Sequence, residues 1–121
     1  VYVEGDKALV TGDVVQNRIS PIFTARGIGP CTWLKTIDAM PKYSVSIVVP
    51  DHTQVGGAEL IAQQRAFLDL MCGRSRDLKA GGMPVTEAIP RITALLKAAY
   101  PDWEMDDDVL ADGVKRAYEG Q

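Results

Sequence analysis

At 121 residues and 13.1 kDa the chain amounts to about one domain, long enough to bury a core of its own. A net charge of −3 leaves no basic field to draw nucleic acid or an anionic membrane surface, and no apolar run is long enough to span a bilayer. With 46% hydrophobic and 24% charged residues, the composition predicts a soluble globular protein and leaves its compartment, cytoplasm or periplasm, open.

Val1 to Val3 forms a short β-type run, Glu4-Gly5-Asp6 a turn, and Ala8 to Thr11 a second strand, so the first eleven residues predict a β-hairpin. No signal peptide is readable, and the chain opens on Val1 inside a strand, which predicts a segment upstream. Gly12-Asp13 leads into a long irregular stretch through Asn17, Arg18, Pro21, Gly27, Gly29 and Pro30. Loops of that length in compact domains are more often functional than not. Thr32 is the expected N-cap of a short helix, with Trp33, Leu34, Ile37 and Met40 on one face and Pro41 as its stop. Ser44 to Val49 is a continuous β-branched run, the pattern of a strand covered on both faces. Its neighbours are not visible in the chain beyond the hairpin, so another segment or subunit is expected to supply them.

Three further helices follow. One runs from Ala58 to Lys79, with Leu60, Ile61, Phe67, Leu68, Met71 and Leu78 in its apolar stripe and Gly81-Gly82 as its stop. The next spans Pro84 or Val85 to Ala99, either kinked at Pro90 or divided there. The last, Asp107 to Tyr118, follows Pro101-Asp102-Trp103 and opens on acids that suit a helix N-terminus. Those acids lack the oxygen spacing and glycine of a calcium loop. Cys31 and Cys72 make no CxxC pair and are expected as buried or half-buried thiols. The large aromatics Trp33, Phe67, Tyr100 and Trp103 are expected to pack rather than to line a substrate box. The class is therefore α/β, with α+β as the alternative. Residues 1–57 carry the sheet and loops and residues 58–121 the helices of a single partial domain.

Two residues carry the chemistry. Asp13 follows one strand through Gly12, and His52 follows another through Pro50-Asp51, so both are expected at strand ends, the usual place for sites on α/β sheets. Carboxylate and imidazole both suit zinc. Residue chemistry alone stops at a partial metal site, since a catalytic zinc takes three protein ligands and an open position. Asn17 and Arg18 are placed to reach a substrate carboxylate or phosphate, or else to brace the loop.

In context these residues resemble the carboxy-terminal half of metallo-β-lactamase-fold hydrolases. Ala8-Leu-Val-Thr-Gly-Asp13 resembles the strand that delivers the family's bridging aspartate, and Asn17-Arg18-Ile19-Ser20-Pro21 the loop after it. Trp33 to Met40 is similar to the helix before the last metal strand, and Val48-Val49-Pro50-Asp51-His52 to the strand and loop that present the final histidine. Glu59 to Lys79, the Gly-Gly-Met after it and a helix ending in Tyr100-Pro101-Asp102-Trp103 also fit, so the resemblance covers nearly the whole chain.

The resemblance implies half of an αββα sandwich, with Asp13 bridging two zinc ions and His52 ligating the second. Such a pair, about 3.5 to 4 Å apart, activates a water and polarises the bond to be hydrolysed. The family's HxHxDH cluster is absent from this chain, so it is expected to be inactive alone and to need its missing amino-terminal half. The substrate of the complete enzyme would be a small ester, thioester, lactone, lactam or phosphoester. Family members carry glycine on both sides of the final histidine, whereas Asp51 and Thr53 stand here. A glycine-only backbone angle would strain them, and Asp51 is a candidate to orient the His52 ring from outside the metal shell. Two other readings remain open: a non-catalytic remnant that pairs with another copy of itself, and an interaction module with a degenerate metal site.

Overall fold

The structure, a computed structural model, describes residues 1–39 and 44–121. Strands β1 (Tyr2–Val3), β2 (Ala8–Gly12) and β3 (Ile47–Pro50) form one sheet in that order. β1 pairs antiparallel with β2, with Tyr2 opposite Leu9, as the hairpin pattern predicts. β3 joins β2 in parallel, with Leu9 opposite Val48 and Val10 opposite Val49. A parallel neighbour requires a crossover, and helix α1 (Pro30–Asp38) lies within it. Then come α2 (Glu59–Ala80), α3 (Val85–Ala99) and α4 (Asp107–Tyr118).

The strand period of two divides the sheet into unequal faces. Leu9, Thr11, Val48 and Pro50 are buried on the helix side, while Val3, Val10 and Ile47 are 40 to 43% exposed on the other. The run from Ser44 to Val49 is therefore not a strand covered on both faces. It is shorter and later, and beyond it only an isolated antiparallel bridge, Val48 to Gly56, extends the sheet among the described residues. The β-branched residues announce strand correctly, but no layer covers the second face of the sheet among the described residues.

On the covered side Val15, Phe23, Ile37, Val48, Phe67, Leu68, Met71, Ile92, Leu96, Leu110 and Val114 make one core, so loop, sheet and helical residues share a single apolar interior. Each such side chain, fully buried, contributes roughly 1.5–3 kcal/mol before entropy is counted. α2 is its central rod. Leu60, Phe67, Leu68 and Met71 of the predicted stripe are buried and Ile61 and Leu78 are packed against the core, but Gln64, Cys72 and Ser75 share that buried face. The four aromatics do pack. Phe67 stacks on Trp103 at 5.1 Å and touches Tyr100 at 5.4 Å, and Phe23 meets Trp33 edge-on at 5.3 Å. Burial holds the Tyr100 phenol above its ordinary pKa.

Two local expectations need correction, and at Pro90 one of the two alternatives, the division of α3, falls. α1 begins two residues before Thr32: Pro30 stands in its first turn and Gly29 is the N-cap, with no side-chain cap. Gly29 is also crowded, because a Cβ there would lie 2.7 Å from the Arg116 Cβ and 2.8 Å from the Gln121 backbone. The expected stop of that helix at Met40-Pro41 lies outside the described residues. α3 runs unbroken through Pro90, which lacks the N–H owed to the Thr86 carbonyl; Ala88, Ile92 and Leu96, all buried, hold the helix together across it. The second correction is that Cys31 and Cys72 are not free thiols. They form a disulfide that ties α1 to α2 across a sequence separation of 41, beside Ala117 of α4.

The last helix follows its reading closely. The Asp106 carboxylate accepts from the backbone N–H of Asp108 and Val109, satisfying two of the donors that a helix start leaves open. No helix among the described residues is long and apolar enough to cross a membrane.

Candidate metal centre

The parallel register carries the ends of β2 and β3 to the same edge of the sheet. β2 ends irregularly: a register shift falls between Val10 and Gly12, and Gly12 adopts a left-handed φ of +56°. Bulges of this kind re-aim the next side chain, and a residue without Cβ adopts that angle at little cost. The residue they re-aim is Asp13. On the neighbouring strand Pro50 ends the ladder, and the Asp51 N–H donates to the Gly12 carbonyl at 3.3 Å, which seats the second loop against the first.

Asp13 and His52, 39 positions apart in sequence, meet there: the His52 Nε2 lies 3.3 Å from Asp13 Oδ1. Asp51 joins them. Its Oδ2 is 3.0 Å from the same Nε2, and one donor atom from each of the three residues lies within 4.8 Å of the others. Asp51 thus reaches the same imidazole nitrogen that Asp13 faces. The backbone strain anticipated at Asp51 and Thr53 is absent: among the described residues only Lys7 and Arg18 have a positive φ without being glycine. One imidazole nitrogen and two carboxylate oxygens make a donor set that suits zinc or a similar divalent ion, in the number that a catalytic zinc takes from its protein. All three side chains are more than half exposed, so the centre lies open on the surface.

Asn17 and Arg18 go elsewhere. The Asn17 Nδ2 donates to the Gln54 carbonyl at 3.2 Å, and the Arg18 guanidinium lies 3.6 Å from the Asp102 carboxylate. Arg18 holds a left-handed φ of +57°, and its backbone carbonyl accepts from Glu104 N–H, so this loop is stitched to the segment before α4. Both residues line a polar cleft of about 490 Å³ with Gln54, Glu59 and Gln63. Asp13 and His52 face a different one, of about 310 Å³, walled by Ile19, Pro21, Ile22 and Thr24. Asn17 and Arg18 are therefore not brought to the metal cluster.

Two residues that the sequence reading passed over sit between these clefts. Gln16, only 7% exposed, donates from Nε2 to Asp13 Oδ1 at 3.2 Å, and its Oε1 accepts from the Thr53 hydroxyl at 2.9 Å. Thr53 in turn accepts from the Asn17 backbone N–H at 2.8 Å. Their only sequence signal was closeness to Asp13 and His52; their contact depends on a strand register that no spacing discloses.

No family model matches the sequence, and none of the curated proteins does. Among solved structures, the stereoselective inverting sec-alkylsulfatase Pisa1 from Pseudomonas sp. superposes with a TM-score of 0.71 at 20% sequence identity. The match covers 98% of this chain and 21% of that one. This is the fold of part of a metallo-β-lactamase-fold enzyme. The fold that the family resemblance implied is thus the fold observed, and the chain spans about a fifth of the length of the enzyme it resembles.

Proposed function

We propose that this chain is the carboxy-terminal, metal-ligating part of a metal-dependent hydrolase, with zinc as its natural ion and a small molecule as its substrate. The observation that carries the reading is the convergence of Asp13 and His52, delivered by two different strand ends, to 3.3 Å. Zinc bound there would lower the pKa of a water and polarise the bond to be cleaved. The chain's own part is to hold three donors at one edge of a rigid sheet and to offer an apolar wall beside them. Ile19, Pro21 and Ile22 at the neighbouring cleft favour a substrate with an apolar group next to its scissile bond. The ester, thioester, lactone and lactam members of the expected substrate range fit that wall better than a phosphoester.

Asp51 adds a donor that the sequence reading did not count among the ligands, so the isolated chain is expected to take up one ion, weakly, without turning over substrate. Calorimetric titration of the 121-residue chain with zinc tests this. One equivalent should bind, and His52→Ala and Asp13→Ala should each abolish binding; uptake that survives both substitutions would overturn the proposal. Zinc-dependent hydrolysis of a generic ester by the isolated chain would overturn the part that makes it inactive alone. The Cys31–Cys72 disulfide favours an oxidising compartment, the periplasm of the two expected, over the cytoplasm.

A second reading, a non-catalytic chain that pairs with a copy of itself, draws on the half-exposed Val3, Val10 and Ile47 of the open sheet face. Loss of zinc uptake together with stable self-association would favour it.

A further inference from the structure

We infer that Gln16 and Thr53 form a brace that holds the Asp13 loop and the His52 loop in register before any ion arrives, which makes them positioning residues for the centre proposed above. The polarity of the hydrogen-bond chain is fixed at both ends. It starts at the Asn17 backbone N–H, which can only donate, and 2.8 Å away the Thr53 oxygen accepts. At the other end the ionised Asp13 carboxylate can only accept, so the Gln16 Nε2 donates to its Oδ1, at 3.2 Å. That turns Oε1 towards Thr53, whose hydroxyl donates to it at 2.9 Å. Every link has one permitted direction, so the chain delivers an N–H to a carboxylate oxygen that the cluster needs as an acceptor.

Placement supports the same role. Gln16 is almost wholly buried although its neighbours Asp13 and His52 are exposed, and burying an amide is costly unless both of its ends are paired. Here both are. Gln16 lines the apolar cleft beside the cluster and Thr53 lines the polar cleft on the other side, so their bond stands in the partition between the two. A partition locked by side chains joins loops whose nearest backbone tie is the single Asp51-to-Gly12 bond. Groups that orient a metal's ligands in this way are typically worth about 10- to 100-fold in metal affinity.

The test uses the 121-residue chain with Thr53→Val, Thr53→Ser, Gln16→Met and the Val/Met double variant, and Thr53→Ala in place of Val should the latter not fold. In the metal-free proteins, amide exchange by NMR reads the brace directly. Thr53→Val should speed exchange at Asn17 by about tenfold or more, while Thr53→Ser, which keeps the hydroxyl, should match the parent. With cobalt as the probe ion, Thr53→Val and Gln16→Met should each weaken binding about tenfold and alter the visible spectrum. The double variant should be no worse than about twofold below the weaker single, because both substitutions cut one chain. Unchanged Asn17 exchange in Thr53→Val would overturn the brace, as would cobalt affinities in which both single variants equal the parent. A parent chain that protects Asn17 but takes up no cobalt would count against the metallohydrolase reading alone, and the exchange result would then decide the brace.

Discussion

Gln64 lies in the buried face of α2 with no exposed surface, and neither its amide oxygen nor its amide nitrogen has a hydrogen-bond partner among the described residues. A buried polar group left unpaired costs about 1–3 kcal/mol. Gln64→Met keeps the length and helix propensity of the side chain while removing both orphaned atoms. It should therefore raise the unfolding free energy by about 1–2 kcal/mol, read as a higher urea midpoint at unchanged slope. A lower midpoint would mean that the amide is satisfied in the folded protein after all. Gly113 tests the opposite error. Alanine there would gain about 1 kcal/mol of helix propensity. Its Cβ, however, would lie 2.6 Å from the Met71 sulfur and 2.9 Å from Phe23, both buried, and overpacking of that kind costs about 1–3 kcal/mol. The clash should win, lowering Tm in a thermal melt; an unchanged or higher Tm would show that Met71 can swing aside. Neither position was legible in the sequence. Gln64, four residues after Leu60 and four before Leu68, falls within the apolar stripe by spacing, but spacing does not show whether its amide is paired; a glycine inside a helix likewise reads as a mere propensity loss until the packing partners are known.

Helices α2, α3 and α4 were legible because their apolar residues recur at helical spacing and their ends carry chemical marks, the Gly81-Gly82 stop and the Asp106–Asp108 acids. α1 was legible as a helix but not at its start, since Thr32 looks like a cap only when Pro30 is assigned to the loop; Pro suits a first turn equally well. The Cys31–Cys72 link was missed for a plainer reason: spacing says nothing about which helices lie side by side. That link now sets the element-scale prediction. Closing a loop of this length restricts the unfolded chain by about 4 kcal/mol in the entropic account. For a protein of this size a loss of that order is a large share of a typical total of about 5–15 kcal/mol. Cys31→Ser with Cys72→Ser, or reduction of the parent, should lower Tm by well over about 10 °C. Both sulfurs lie in residues that are 3% exposed, so reduction should be slow in the folded state and fast once it opens. Equal melting of the reduced and oxidised chains would remove the disulfide from the account of stability, and with it the argument for an oxidising compartment.

At the scale of the molecule, the centre and the open sheet face have one cause. That Asp13 and His52 would lie near one another was legible because each follows a strand end; that Asp51 would join them required knowing that its N–H bonds to the Gly12 carbonyl. The same register that gathers the donors leaves Val3, Val10 and Ile47 aligned on the uncovered side. Aligned β-branched residues on an uncovered sheet invite another apolar layer. The isolated chain should therefore self-associate through this face, with sedimentation velocity showing an average mass that rises with concentration. Val10→Lys places a charge at the centre of the patch. Val10 is already 43% exposed and points away from the core, so the substitution costs less than about 1 kcal/mol of fold stability, while a buried unpaired charge at the interface would cost far more. The variant should stay folded by circular dichroism and run as a monomer. A parent chain that remains monomeric at high concentration would sink the prediction. On the metallohydrolase reading proposed above, an amino-terminal half supplied in trans should cover the same valines, dissolving the self-association and completing the metal site in one step; self-association that persists in its presence would separate the two surfaces.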